Sequence, residues 1–179
     1  MKKVILATLI SGAMSASALA ANAGSGTVTF SGSIVEAACS IAPESVDQTV
    51  ELGSVAASQL ATNGRSASKP FQIQLENCDM DFEVNGTKVS TVTAAFTGGV
   101  SAGDTTNTQL AIVGSAGGAA VVITGADGTP VKLDGSEATA PVAIQDGNST
   151  LQYAAYLQGN GTVVAGDFTA LANYTLSYQ

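Results

Sequence analysis

An all-β chain folded as an antiparallel sandwich is what this sequence predicts, on three observations. Short runs alternating apolar and polar side chains recur from residue 26 to the end, clusters of Gly, Asn, Asp and Ser separate them, and no long stretch after residue 23 keeps an apolar period of 3.6. Seven or eight short strands at this spacing make one two-layered domain.

The chain opens with Met1-Lys2-Lys3, an apolar stretch from Val4 to Ile10, and small uncharged residues as far as Ala23, without one acid. This is the pattern of a secretory signal, and its strongly apolar part is too short to span a bilayer. Ala18-Leu19-Ala20 supplies the small residues that cleavage requires, so residues 1–20 are expected to be removed; Ala21-Asn22-Ala23 offers a second position, after residue 23. About 159 residues remain, enough for one domain with a proper core.

Without Lys2 and Lys3, four basic residues (Arg65, Lys69, Lys88, Lys132) face fourteen acidic ones, a net charge near −10. Nucleic-acid binding is excluded on that balance, and an anionic membrane surface is disfavoured. The absence of histidine removes the usual triads and the commonest general base. Two cysteines without histidine make a poor zinc site. Asp79, Asp81 and Glu83 alternate ahead of Asn85-Gly86 but miss the spacing of a calcium loop, and read as a solvated acidic edge. The glycines at 24, 26 and 32 lack the Lys-Ser/Thr of a phosphate loop. No enzyme, cofactor or metal is expected. Cys39 and Cys78, in an exported chain, are expected to form one disulfide.

Taken in order, residues 26–34 place Val28, Phe30, Gly32 and Ile34 on one face of an extended strand and Thr27, Thr29, Ser31 and Ser33 on the other, with no hairpin turn directly after. Further strands are expected over 46–52, 71–75, 89–96, 109–113, 119–124, 151–157 and 168–178. Asn85-Gly86, Gly98-Gly99, Gly117-Gly118, Asp127-Gly128, Asp134-Gly135, Asp146-Gly147 and Gly159-Asn160-Gly161 supply the turns. Residues 54–68, rich in Ala, Ser and Asn, are expected to form a short helical turn or a loop. In the last strand Phe168, Ala170, Ala172, Tyr174, Leu176 and Tyr178 share one face. No tryptophan is present, so the buried strand Trp of antibody-type domains is absent.

Three segments, "GTVTFSGSIVEAACSI", "SKPFQIQLENCD" and "GDFTALANYTLSYQ", together resemble the pilins of chaperone–usher fimbriae, in particular the major rod subunits of P-type and type 1-like pili. Gly32 stands seven residues before Cys39, Gly166 is fourteenth from the C-terminus and Tyr178 is penultimate, each in register with the family's motifs. The resemblance implies an immunoglobulin-like sandwich that lacks its final strand, with residues 21–35 as an N-terminal extension and 36–179 as the pilin domain. It further implies a periplasmic chaperone that lends a strand to the open groove, an outer-membrane usher, and a next subunit whose extension replaces the chaperone. On that implication Val28, Phe30, Gly32 and Ile34 are the donor strand, and Gly166, Phe168, Tyr174, Leu176 and Tyr178 form the acceptor edge. The chain is then a rod subunit at the cell surface, without membrane insertion in its mature form. A minor adaptor or terminator pilin is the alternative within the family. A self-contained secreted β-sandwich, whose first strand folds into its own sheet, is the alternative outside it.

Overall fold

The computed structural model describes residues 26–179, so the expected signal sequence lies outside the described residues. Two units divide the chain, residues 1–35 and 36–179. In the first, residues 26–35 have no strand or helix, and Val28, Phe30, Ile34 and Val35 are exposed, Phe30 by 90 %. The strand expected over residues 26–34 is therefore not formed. Its alternation lacks the one thing a strand needs, a backbone partner.

The second unit runs β1 (Ser40–Ile41), α1 (Pro43–Val46), α2 (Ala57–Leu60), a 3₁₀ turn (Ala61–Asn63), β2 (Lys69–Cys78), β3 (Glu83–Val84), β4 (Thr87–Lys88), β5 (Thr91–Gly98), β6 (Gln109–Ala111) and β7 (Val113–Gly114). It continues with β8 (Gly117–Gly125), β9 (Asp134–Ala138), β10 (Val142–Ala143), β11 (Gly147–Val164), β12 (Phe168–Thr169) and β13 (Ala172–Tyr178). One sheet has the order β1-β2-β11-β8-β6, and the other the order β10-β5-β13 with β9 also on β5. Every pairing is antiparallel.

The two sheets pack through their alternate side chains. Along β11, Ser149, Leu151, Tyr153, Ala155 and Leu157 are buried at every second position. Phe96 of β5 meets Tyr153 of β11 edge-on, with ring centroids 5.1 Å apart, and Phe71 of β2 stacks on the same tyrosine at 5.5 Å. Ile73, Leu75, Val92, Ala94, Val121 and Ile123 complete the interior. Cys39, one residue before β1, and Cys78, the last of β2, form the expected disulfide across that neighbouring pair.

The differences from expectation have physical causes. Residues 46–52 form no strand, because Val46 ends α1 and among the described residues no strand pairs with the backbone that follows. That stretch is hydrogen-bonded to β2 only through the Gln48 side chain on the Gln72 carbonyl (3.3 Å); yet Val50, Leu52 and Val55 are half-buried while Thr49 and Glu51 are exposed. The strand expected over residues 168–178 is interrupted at Ala170-Leu171, where pairing passes from β7 to β5. Its predicted face holds: all six residues from Phe168 to Tyr178 pack partly buried against the core. β9 has no counterpart among the expected strands, since every residue in it is exposed and nothing alternates. The β3–β4 hairpin turns on Asn85 and Gly86, both at positive φ (53° and 77°), as a tight two-residue turn requires. Residues 54–68 contain α2 and the 3₁₀ turn, as expected. No helix among the described residues is long and apolar enough to cross a membrane.

The loop before β6 is organised by one carboxylate. Asp104 accepts the backbone N–H groups of Thr106, Thr108 and Gln109 at 2.7–2.8 Å and the Thr106 hydroxyl at 2.6 Å. Burial pushes its carboxyl up, but these hydrogen bonds, with the Thr106 hydroxyl foremost, outweigh that and hold it at about 2. A folded-state value below the unfolded one contributes stability above about pH 4, lost as pH falls towards 2. Asp104→Asn is therefore expected to flatten the acid limb of the stability profile. Urea titrations between these pH values check this; an unchanged slope contradicts it.

Candidate functional site

The C-terminal strand β13 is a sheet edge. It pairs with β5 from Ala172↔Gly98 to Tyr178↔Val92, and among the described residues no strand pairs with its other side. An unpaired edge on a domain of this kind is a template for another strand.

Beside that edge runs a groove with a volume of about 1110 Å³. One wall is the segment from Ser45 to Val55, the other runs from Val163 to Tyr174, and the floor includes Leu60, Leu110, Val121, Ile123 and Leu157. Among the apolar floor residues, Leu110 and Leu157 are each 3 % exposed and belong to the core cluster, so the groove is a gap in the core itself. On the wall towards β13 the inward residues are Phe168, Ala170, Ala172 and Tyr174. Two alanines in the middle leave the space that longer side chains would fill. The charged residues of the lining, Asp47, Glu51 and Asp167, are all exposed. Such a lining suits an alternating apolar strand better than a small polar molecule.

Of the residues predicted from sequence, Gly166, Phe168 and Tyr174 line the groove, whereas Leu176 and Tyr178 are not in its lining and pack half-buried against the core. Gly166 is required by close approach: a Cβ there would stand 2.6 Å from the backbone nitrogen of Ala116. That approach lets the carbonyl of Asp167 accept the N–H groups of Ser115 (2.9 Å) and Ala116 (3.1 Å), which aims Phe168 at the core. The wall from Ser45 to Val55 is not among the predicted site residues, although its half-buried Val50 and Leu52 fall in the run expected to form a strand. Val28, Phe30 and Ile34 are exposed in the first unit, and a Cβ on Gly32 would meet open space. Asp81, from the acidic run, pairs with Lys88, whose hydrogen bond lowers its carboxyl below the ordinary value. No group of three metal-ligating side chains occurs among the described residues.

Residues 28–179 match the Fimbrial protein family. The Fimbria A protein of Serratia marcescens is 47 % identical over 182 residues, covering 100 % of this chain and 99 % of that one. The Major MR/P fimbria protein of Proteus mirabilis (strain HI4320) is 46 % identical over 165 residues, 91 % and 89 % of the two chains. Among solved structures, a subunit of a chaperone–usher pilus, studied for rod uncoiling, has a TM-score of 0.77 at 37 % identity, covering 88 % of this chain and 97 % of that one. The chain belongs to the fimbrial protein family and is a structural subunit of a surface fimbria with an immunoglobulin-like pilin fold. The family is one of structural pilins and not of enzymes.

Proposed function

We propose that this chain is a rod subunit whose groove receives the extension of another copy, so that residues 28–34 of one subunit complete the sandwich of the next. The observation that carries this is the match between an unpaired β13 edge over a gap in the core and an extension with exposed Val28, Phe30 and Ile34 at alternate positions. Main-chain hydrogen bonds to β13 give affinity and the alternate side chains give register. Burial of the three apolar side chains contributes about 1.5–3 kcal/mol each before ordering costs. Since donor and acceptor surfaces differ, each junction leaves a new donor and a new acceptor, and the assembly propagates as a fibre. Before assembly a periplasmic chaperone occupies the same groove, and the usher exchanges it for the next extension. The likeness to a major fimbria protein at 46 % identity supports the rod role over that of adaptor or terminator.

The incoming strand lies between β13 and the segment from Ser45 to Val55, which gains the backbone partner it lacks. Hydrogen exchange tests this: amides of residues 47–52 are expected to exchange quickly in the unfilled chain and at least about a hundredfold more slowly in fibres. Equal exchange in the two states contradicts the reading.

A further inference from the structure

We propose that Tyr174 and Tyr178 are positioning residues whose hydroxyls join the two sheet edges at and beyond the groove's end, and so fix the separation of its walls before a strand enters. The inference rests on the reading of the groove as a strand acceptor.

On its open side the sandwich presents two edge strands, β1 of the larger sheet and β13 of the smaller. Phenol side chains join them. The Tyr174 hydroxyl donates to the carbonyl of Ser45 at 2.7 Å, and the Tyr178 hydroxyl to the carbonyl of Cys39 at 3.4 Å. These acceptors flank β1, and both are anchored. Cys39 is held by the disulfide. Ser45 is 2 % exposed, and its own hydroxyl accepts the N–H of Gln74 at 3.0 Å.

The donors are equally well placed. Tyr174 and Tyr178 lie four residues apart on the inward face of β13, and the Tyr174 ring lies 6.3 Å from that of Phe96. A phenol keeps its proton at neutral pH, and burial raises both of these further above their ordinary value, so each is a donor. Ser45 and Tyr174 both line the groove, and the open volume extends from them along residues 46–55 and 163–173. The Tyr174–Ser45 bond thus stands at the groove's end, like a spacer between its walls.

A gap in a core tends to close, because its lining loses contacts on the empty side. The two phenol rings set a minimum spacing between the edges and their hydrogen bonds fix it, so the acceptor stays open and the arriving strand has less ordering to impose. Their effect should fall on entry of the strand; once it is seated, its own hydrogen bonds hold the walls. A role in stability alone would alter entry and release alike.

The test uses the chain from residue 21, refolded at low concentration and mixed with an excess of labelled peptide GTVTFSGSIV. Association is followed by stopped-flow anisotropy and release by chase with unlabelled peptide. Tyr174→Phe, which keeps the ring, is expected to slow association roughly fivefold, as loss of one net hydrogen bond would, while release changes by less than about twofold. Tyr178→Phe, with the longer bond, slows association less. Unchanged association in both variants overturns the proposal, and so does a fall in association matched by an equal rise in release. If the unsubstituted chain takes up no peptide, the acceptor reading itself fails and this inference with it.

Discussion

With leucine in place of Gly32, cells are expected to export the chain normally and to carry no fibres built from it. A side chain at this position meets open space within its own chain, so the substitution costs the free subunit little. The cost falls on the junction. Residue 32 shares a face with Val28, Phe30 and Ile34, and a donor strand in register points all four into the acceptor. Forcing a leucine into a filled core costs about 1–3 kcal/mol, and slipping by one residue to avoid it turns every apolar side chain outward. A fibre needs this junction at each step, so a weakening of about 2.7 kcal/mol per junction, a factor of one hundred, is enough to end propagation. Chaperone capture uses the acceptor groove and is expected to survive. Electron microscopy of the cell surface, with the periplasmic complex quantified in parallel, checks the result; normal rods refute the role assigned to Gly32.

Removal of the disulfide by Cys39→Ser with Cys78→Ser is expected to destabilise the chain by about 3–4 kcal/mol, the chain-entropy estimate for a loop of this length. The loop it closes, a separation of 39 residues, carries β1, α1 and the whole wall from Ser45 to Val55. Without it that segment is held to β2 by a strand of only two residues, paired Ser40↔Glu76 and Ile41↔Leu75, by the N–H of Ala42 on the Gln74 carbonyl (2.9 Å), by the N–H of Gln74 on the Ser45 hydroxyl, and by the Gln48 side chain on the Gln72 carbonyl (3.3 Å). The groove should therefore lose a wall before the sandwich as a whole unfolds. Uptake of peptide GTVTFSGSIV by thiol-blocked chain is expected to fall at least about tenfold, with a lower urea midpoint. Equal uptake and an equal midpoint would show that the wall stands without the bond.

Much of the fold is legible in the residues, and what escapes does so for identifiable reasons. Alternation marks the inward face correctly from Tyr178 in β13 back to Phe168 in β12, because burial at every second position is what a half-covered strand writes into its sequence. The same rule misleads at residues 46–52. There Val50 and Leu52 are half-buried as a strand would have them, but pairing depends on a neighbour and not on the segment itself. β9 is silent because a strand with both faces exposed is under no apolar constraint. The groove and its two tyrosine bonds join positions 129 and 139 residues apart, and no local pattern encodes such a contact. Gly166 stands out through the family's motif, while its reason, the backbone of Ser115 and Ala116 against its Cα, emerges only from the fold.

A domain one strand short should hold together only weakly unaided. Residues 36–179, produced alone, are expected to give a broad thermal transition at low temperature as a monomer and a sharp one at clearly higher temperature on addition of peptide GTVTFSGSIV. A sharp transition without peptide, unmoved by adding it, would mean that the sandwich closes on its own and would contradict assembly through a borrowed strand.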